Sequence, residues 1–600
     1  MMGSRRRTVQ PRLLPALVIL LTTACGPAPA SEAASVVTVG GIPAAWDIPA
    51  AAVTPVRGVG GMVSSTDRVA SEIGAEMLRR GGNAFDAVVA VHFALAVVNP
   101  EAGNIGGGGF LVAVLPDGET VSLDFRERAP GAAHADMFLD ADGTVTRASV
   151  VGHQASGVPG SVAGMWEAHR RYGSLPWADI VEPAINLADG IVMHERLAES
   201  MRRHEDRFRQ FPGTEQTFLP NGAVPRVGDR FSQPDLRETF RRIARDGRDG
   251  FYRGRTADLI VAEMERGGGL ITHDDLADYE PAWREPVEIA YRGHRVVSMP
   301  PSSSGGATLG LILNILEGYD LAAAGLLSAE HVHLYTEAAR RAFADRNVYL
   351  ADPDFVAVPL ADMVSPRYAA ELRAGIQVDR ATPSTAVDPG LGPPPGEPEH
   401  TTHYSVIDAQ GNAVSVTTTI NSLYGSRVTV TGAGFLLNNE MDDFTARPGV
   451  PNQFGLVQGA ANAIEPGKRM LSAMTPTIVL RDDGSPLLLL GSPGGPTIIS
   501  TVAQVISNMV DFGMTLSEAV AAPRLHHQHL PDQLRYERDG LERSVVAALR
   551  QFGHDLAERP GYQGDVTAIV VEPDGSFLGV ADPRRGGAAV GLAEAVEVVQ

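Results

Sequence analysis

The chain has 600 residues, 44% apolar and 20% charged, the composition of a soluble globular protein with enough surface to bury a sizeable core. Its formal net charge of −21 repels phosphate backbones and anionic membrane surfaces, which argues against nucleic acid as a partner and against the membrane except through an attached lipid. Cys25 is the only cysteine, so an intrachain disulfide and a cysteine nucleophile in the folded body are both excluded.

At the amino terminus Arg5-Arg6-Arg7 precedes the apolar run Leu13–Leu21 and the small-residue ending Thr22-Thr23-Ala24-Cys25. That order of charge, hydrophobicity and small residues is an export signal over residues 1–24. Leu21-Thr22-Thr23-Ala24-Cys25 resembles a bacterial lipobox, although Thr22 stands where leucine is usual. Two outcomes stay open, lipidation of Cys25 or a secretory cut near Ala28–Ala30, and both give an exported protein, periplasmic or anchored at the cell envelope. Residues 25–57, rich in Ala, Pro, Ser and Val, read as a tether without a core.

Folded sequence is expected from Gly58. Ser65 or Asp67 can cap a helix running to about Arg80, closed by Gly81-Gly82, and Asn83 opens a second helix, Ala84 to about Val98, apolar nearly all round and hence buried. Gly106–Gly109 lacks the Lys-Ser/Thr of a phosphate loop and reads as close backbone packing. Phe110–Leu115 and Val121–Phe125 form a hairpin around Pro116-Asp117-Gly118 that delivers Arg126 at its end. Helices follow at Trp177–Asp189, Arg196–Phe211, Gln233–Asp246, Arg255–Gly267 and Ala307–Leu316. Further hairpins are expected at 287–299, 477–490 and 566–581. Hairpins spread along the chain with helices between them predict antiparallel sheets covered by helices, an α+β fold.

Ala381–His400 holds six prolines and three glycines, a segment that cannot enter a sheet and is open to cleavage. Directly after it, Thr402–Ile407 and Ala413–Ile420 flank an Asp-Ala-Gln-Gly-Asn turn, the pattern of a hairpin. A hydroxyl residue opening a strand after such a loop admits two readings. One is a threonine-rich strand. The other is a nucleophile whose base is its own α-amine, freed by scission of the His400–Thr401 bond; that amine titrates near 7.7–8.0, close to working pH.

Two further stretches carry chemistry. Asn438-Asn439-Glu440-Met441-Asp442-Asp443-Phe444, after the strand-like Gly434–Leu437, packs three carboxylates, which suits a solvated face, a calcium site or a clamp for an ammonium; Arg126 is the cationic counterpart for a carboxylate. Leu487–Gly491 leads through Ser492-Pro493-Gly494-Gly495 into a helix over 497–510, either a tight turn or a set of free N–H groups for an oxyanion. His526-His527-Gln528-His529 lacks zinc-site spacing and no Gly-x-Ser-x-Gly elbow exists, which disfavours a metal or serine-triad hydrolase; no cofactor is expected.

Together Asp124-Phe125-Arg126-Glu127, Thr401-Thr402-His403-Tyr404-Ser405, Asn438–Phe444 and Gly491–Gly495 resemble the γ-glutamyltransferase (glutathione hydrolase) family over about Gly58 to Gly586. The resemblance implies an αββα N-terminal-nucleophile hydrolase, two stacked antiparallel sheets between helical layers, made as a proenzyme that cuts itself into a heterodimer of residues 58–400 and 401–600. It implies Thr401 as nucleophile, Thr419 behind it, and Gly494 and Gly495 as the oxyanion hole. It also implies Arg126 and Ser472 on the substrate α-carboxylate, and Asn421, Glu440 and Asp443 on the α-ammonium. Substrates would be small molecules: glutathione or other γ-glutamyl amides as donors, with water, an amino acid or a dipeptide as acceptor. Two residues depart from the family pattern, Ala473 where a second serine is frequent and Phe454 where a lid tyrosine is. Rival readings are an acylase of the same fold cleaving glutaryl or cephalosporin-type side chains, and an unprocessed γ-glutamyl-peptide binding protein.

Overall fold

In the computed structural model, residues 40–387, 401–450, 452, 453, 456 and 458–593 are described. The export signal, Cys25, His400 and Phe454 lie outside the described residues.

Fourteen strands build two sheets. In chain order they are β1 (Val56–Gly58), β2 (Gly61–Ser65), β3 (Gly108–Val114), β4 (Thr120–Asp124), β5 (Ala282–Arg284), β6 (Val287–Tyr291), β7 (His294–Ser298), β8 (Thr402–Asp408), β9 (Ala413–Thr419), β10 (Thr477–Leu480), β11 (Pro486–Gly491), β12 (Thr567–Val571), β13 (Phe577–Ala581) and β14 (Ala588–Gly591). One sheet has the order β14-β2-β8-β9-β3-β4-β5 and the other β1-β13-β12-β11-β10-β7-β6. All neighbours in both are antiparallel. Every hairpin expected from turn chemistry forms.

Side-chain alternation decides the layering. Tyr404 and Val406 of β8 join a core with Val63, Leu111 and the helices α1 (Arg68–Arg79) and α2 (Ala84–Val98). The opposite face, Met62, Phe110, Val112 and Ile407, joins a second core with Ile478, Leu489 and Ile569 of the other sheet. That second core continues onto the helices α3 (Gly305–Leu316), α4 (Ala329–Tyr349) and α5 (Thr497–Val510). The result is the αββα sandwich. Asp67 caps α1 through the Val69 N–H, and Asn83 with Asp86 forms a capping box on α2, whose fifteen residues are all buried.

Three features differ from expectation. Residues 40–57 are not all tether: Trp46, Ile48 and Val53 are buried in the second core, and the Trp46 indole donates to Ala521 O at 2.9 Å. Gly434–Leu437 forms no strand, only an isolated bridge between Leu436 and Thr429. A three-stranded sheet joins Leu525–His526, Leu534–Glu537 and Leu556–Arg559, the last two in parallel, a pairing that no hairpin signal announces. Among the described residues no helix is long and apolar enough to cross a membrane.

Candidate active site

Thr401 is 7% exposed and immediately precedes β8. The β8–β9 register pairs Thr402 with Thr418, so one step further sets Thr419 opposite Thr401. Thr402 turns to the helical side, where its hydroxyl meets that of Thr66 at 2.7 Å. By alternation Thr401 faces the second sheet. Thr419 Oγ1 accepts from the Asn421 N–H at 2.7 Å, which fixes the hydroxyl oxygen.

The same cavity is lined by Arg126, Asn421, Glu440, Asp443, Ser472, Ala473 and Gly495 together with Thr401 and Thr419. Of the described residues assigned from the sequence, only Gly494 is not in the lining, and it is the neighbour of Gly495. Arg126 emerges from the β4 end with its N–H held by Asp124 Oδ1 at 3.0 Å and its Nε donating to Met470 O at 3.2 Å. Its guanidinium lies 2.6 Å from Glu440, against Asp443 and 3.5 Å from Glu127. Yet Arg126 Nη1 and both Glu440 oxygens are buried without an aligned hydrogen-bond partner among the described residues. Buried polar groups without an aligned bond are exceptional, and here the two partners face each other as an ion pair.

The electrostatics follow from three carboxyls sharing one arginine in a dry site. Burial opposes the Arg126 charge, but Glu440, Glu127 and Asp443 outweigh it and hold the guanidinium protonated. Burial lifts the Glu440 carboxyl well above its ordinary range and pushes Glu127 up to about 8, in both cases against the pull of Arg126. Asn421, held at a positive φ of 71°, donates from Nδ2 to Asn439 O at 3.0 Å and reaches Asp443 Oδ1 at 3.4 Å. Asn438 ties the acidic turn to the glycine loop through Gly106 O (2.9 Å) and Gly157 O (2.8 Å), and its Oδ1 accepts the Glu440 N–H. A Cβ on Gly106 would lie 2.2 Å from Leu436 O, so close packing is what that glycine serves.

Opposite the nucleophile, Gly494 and Gly495 have φ of 141° and 48°, backbone that side chains disfavour. Their carbonyls accept from the first N–H groups of the α5 region, Thr497 and Ile498, whereas neither glycine N–H donates to an acceptor among the described residues. Two unspent donors at the start of a helix suit developing negative charge.

Sequence reasoning missed the support of this site. Ser302, Ser303 and Ser304 grip the Ser472 segment: Ser472 N donates to Ser302 O (3.0 Å), Ser304 Oγ to Ser472 O and Ser303 Oγ to Met474 O, both at 2.6 Å. Arg346 of α4 also lines the cavity, fully buried, and donates to Ser304 Oγ and Gln458 Oε1. Gln458 in turn donates to Asp443 O at 2.9 Å. Burial lowers the Arg346 guanidinium to about 10. Only the serine-rich stretch before α3 offered a signal.

Among the described residues one group has metal-ligand chemistry, His333, Glu337 and His554, whose ligand atoms lie within 4.8 Å of one another. Its atoms are already engaged. Glu337 takes hydrogen bonds from Arg340, Arg341 and Thr382, while His333 bonds His554 at 2.8 Å and Gln377 O at 2.7 Å. Two guanidiniums beside it disfavour a cation, and the group instead anchors residues 382–384.

Comparison with known proteins gives consistent findings. The family model described as gamma-glutamyltranspeptidase matches residues 70–592. A glutathione hydrolase proenzyme from Pseudomonas sp. (strain A14) is 46% identical over 554 residues, covering 90% of this chain and 96% of that relative. Among solved structures, cephalosporin acylase from Bacillus halodurans superposes with a TM-score of 0.79 at 28% identity, covering 90% of this chain and 97% of the other. A chain of Helicobacter pylori gamma-glutamyltranspeptidase gives 0.54 at 45% identity, covering 55% of this chain and 95% of the other.

Proposed function

The chain belongs to the gamma-glutamyltranspeptidase family, and from that premise we propose that it is a proenzyme that cuts its own His400–Thr401 bond and then acts as a γ-glutamyltransferase and glutathione hydrolase. The observation that carries the reading is the buried ion pair of Arg126 with Glu440 at 2.6 Å, in one cavity with Thr401. A γ-glutamyl group is a zwitterion at one end and an amide at the other. Its α-carboxylate would take Arg126 and Ser472, its α-ammonium Glu440, Asp443 and Asn421, and its γ-carbonyl would then reach Thr401. On binding, the two charged ends of the ligand would replace the two halves of the Arg126–Glu440 ion pair.

In the reaction the Thr401 α-amine takes the hydroxyl proton while Oγ attacks the γ-carbonyl, and the oxyanion forms against the Gly494 and Gly495 N–H groups. Collapse breaks the C–N bond, and the amine leaves with the proton from the α-ammonium. The γ-glutamyl ester on Thr401 is then taken by water or by the amine of an amino acid or dipeptide through the same steps. The active form would be a heterodimer of residues up to 400 and 401–600, exported by its amino-terminal signal, with Cys25 lipidated or removed.

The similarity to a cephalosporin acylase favours a second reading, cleavage of a glutaryl amide. Such a substrate has no ammonium, and the Glu440–Asp443–Asn421 group would serve nothing. Comparing γ-glutamyl and glutaryl anilides tests the choice; faster glutaryl turnover would overturn it.

A further inference from the structure

A polar patch interrupts the apolar layer between the two sheets, where Met62, Phe110, Ile407, Ile478, Leu489 and Ile569 pack. On the face that Thr401 shares, β8 carries His403 and Ser405, and the matching face of β9 carries Ser415 and Thr417. All four are fully buried. His403 Nδ1 meets Thr417 Oγ1 at 2.8 Å, and its Nε2 meets Ser405 Oγ at 3.1 Å. Burial lowers the imidazole to about 3, so the ring is neutral at working pH and offers one donor and one acceptor to these hydroxyls.

The network crosses from sheet to sheet. Ser415 Oγ donates to Leu490 O and Thr567 Oγ1 to His403 O, both at 3.2 Å. One residue past Leu490, Gly491 packs against the imidazole: a Cβ there would lie 2.4 Å from ring atoms Nδ1 and Cε1. Gly491 opens the turn that ends in Gly494 and Gly495. His403 thus stands two residues from Thr401, is bonded to Thr417 two residues from Thr419, and abuts the strand end that aims the oxyanion donors.

A buried polar network is costly where apolar side chains would fill the same space, and fully satisfied it specifies a single arrangement. Resting on the reading of Thr401 as nucleophile, we propose that His403 is a positioning residue that holds the nucleophile strand and the oxyanion turn in register across the two sheets, without exchanging a proton with substrate. A misplacement of about 1 Å between reacting groups costs about a hundredfold in rate, whereas the charged end of the substrate rests on other contacts, those of Arg126 and Glu440.

The experiment compares His403→Phe, His403→Gln and Thr417→Val with the wild type on a γ-glutamyl anilide. Turnover is referred to the amount of free Thr401 terminus, so that slower self-cleavage is not read as slower chemistry. His403→Phe should lose about thirtyfold in kcat with KM changed less than about threefold, and His403→Gln, which keeps a donor and an acceptor, should recover part of the loss. Thr417→Val should lose about fivefold, the scale of one neutral hydrogen bond. The double variant should lose no more than His403→Phe alone, because both changes break the same bond. The pH profile of kcat should keep its shape throughout. A kcat near the wild-type value in both His403→Phe and Thr417→Val, a loss carried by KM, or a changed pH profile overturns the proposal. Should His403→Phe stay uncut, Thr417→Val decides by the same criteria. If the wild type turns over a glutaryl anilide and no γ-glutamyl one, the γ-glutamyl reading falls while His403 is tested on the glutaryl substrate, which uses the same nucleophile and oxyanion turn.

Discussion

Arg126 and Glu440 lie 2.6 Å apart with both side chains buried, yet among the described residues Arg126 Nη1 and both Glu440 oxygens are without an aligned hydrogen bond. Each is therefore poised to exchange its neighbour for the opposite end of a zwitterion. Glu440→Gln keeps the shape and removes the charge that an ammonium needs. Its KM for a γ-glutamyl anilide should rise about tenfold or more, the scale of a lost charge-assisted bond, while a glutaryl anilide gains relative to it. Equal losses on both substrates would contradict the ammonium clamp.

The same carboxyl gives the pH dependence its sign. Burial raises Glu440, so in the folded protein it holds its proton at pH values where an exposed acid has lost it, and a neutral acid cannot pair with an ammonium. Selectivity for γ-glutamyl over glutaryl anilide should therefore climb as pH rises above the ordinary carboxylate range, below the roughly 8 at which α-amines titrate. Taking the ratio cancels the Thr401 amine, which both substrates share. A flat ratio would mean that Glu440 does not face the ammonium.

Gly494 carries a φ of 141° and an unspent N–H. Gly494→Ala strains the turn and moves that donor, and should lower kcat about a hundredfold or more with KM changed only a few-fold. Stopped-flow acylation with the anilide separates this from a binding defect.

Ala473 lines the cavity beside Ser472. Restoring a hydroxyl with Ala473→Ser adds a donor to the substrate carboxylate, and KM for the γ-glutamyl donor should fall up to about tenfold, the value of a bond to a charged group. No change in KM would place the carboxylate elsewhere.

Local signals made much of this molecule readable. Asp67 and Asn83 announce helix starts, Gly-containing turns announce the hairpins, and the proline-rich run ahead of Thr401 marks where a strand must begin. Contacts between distant parts of the chain carry no such mark. Trp46 docks on Ala521, and Arg346 reaches Asp443 through Gln458. Nothing near Trp46 or Arg346 in sequence encodes those partners, and the composition of residues 40–57 imitates a linker while three of its apolar residues complete a core. The acidic turn was legible as chemistry but not as geometry, because Gly434–Leu437 is held by irregular backbone bonds to residues 426–430 rather than by a regular strand ladder.

The central claim is that backbone scission makes the base. Amino-terminal sequencing and intact mass of the purified protein, beside a Thr401→Ala control, test it most directly. The account predicts a second terminus reading Thr-Thr-His-Tyr in the wild type and one uncut chain in the variant. An uncut wild-type chain that still turns over a γ-glutamyl anilide would contradict it.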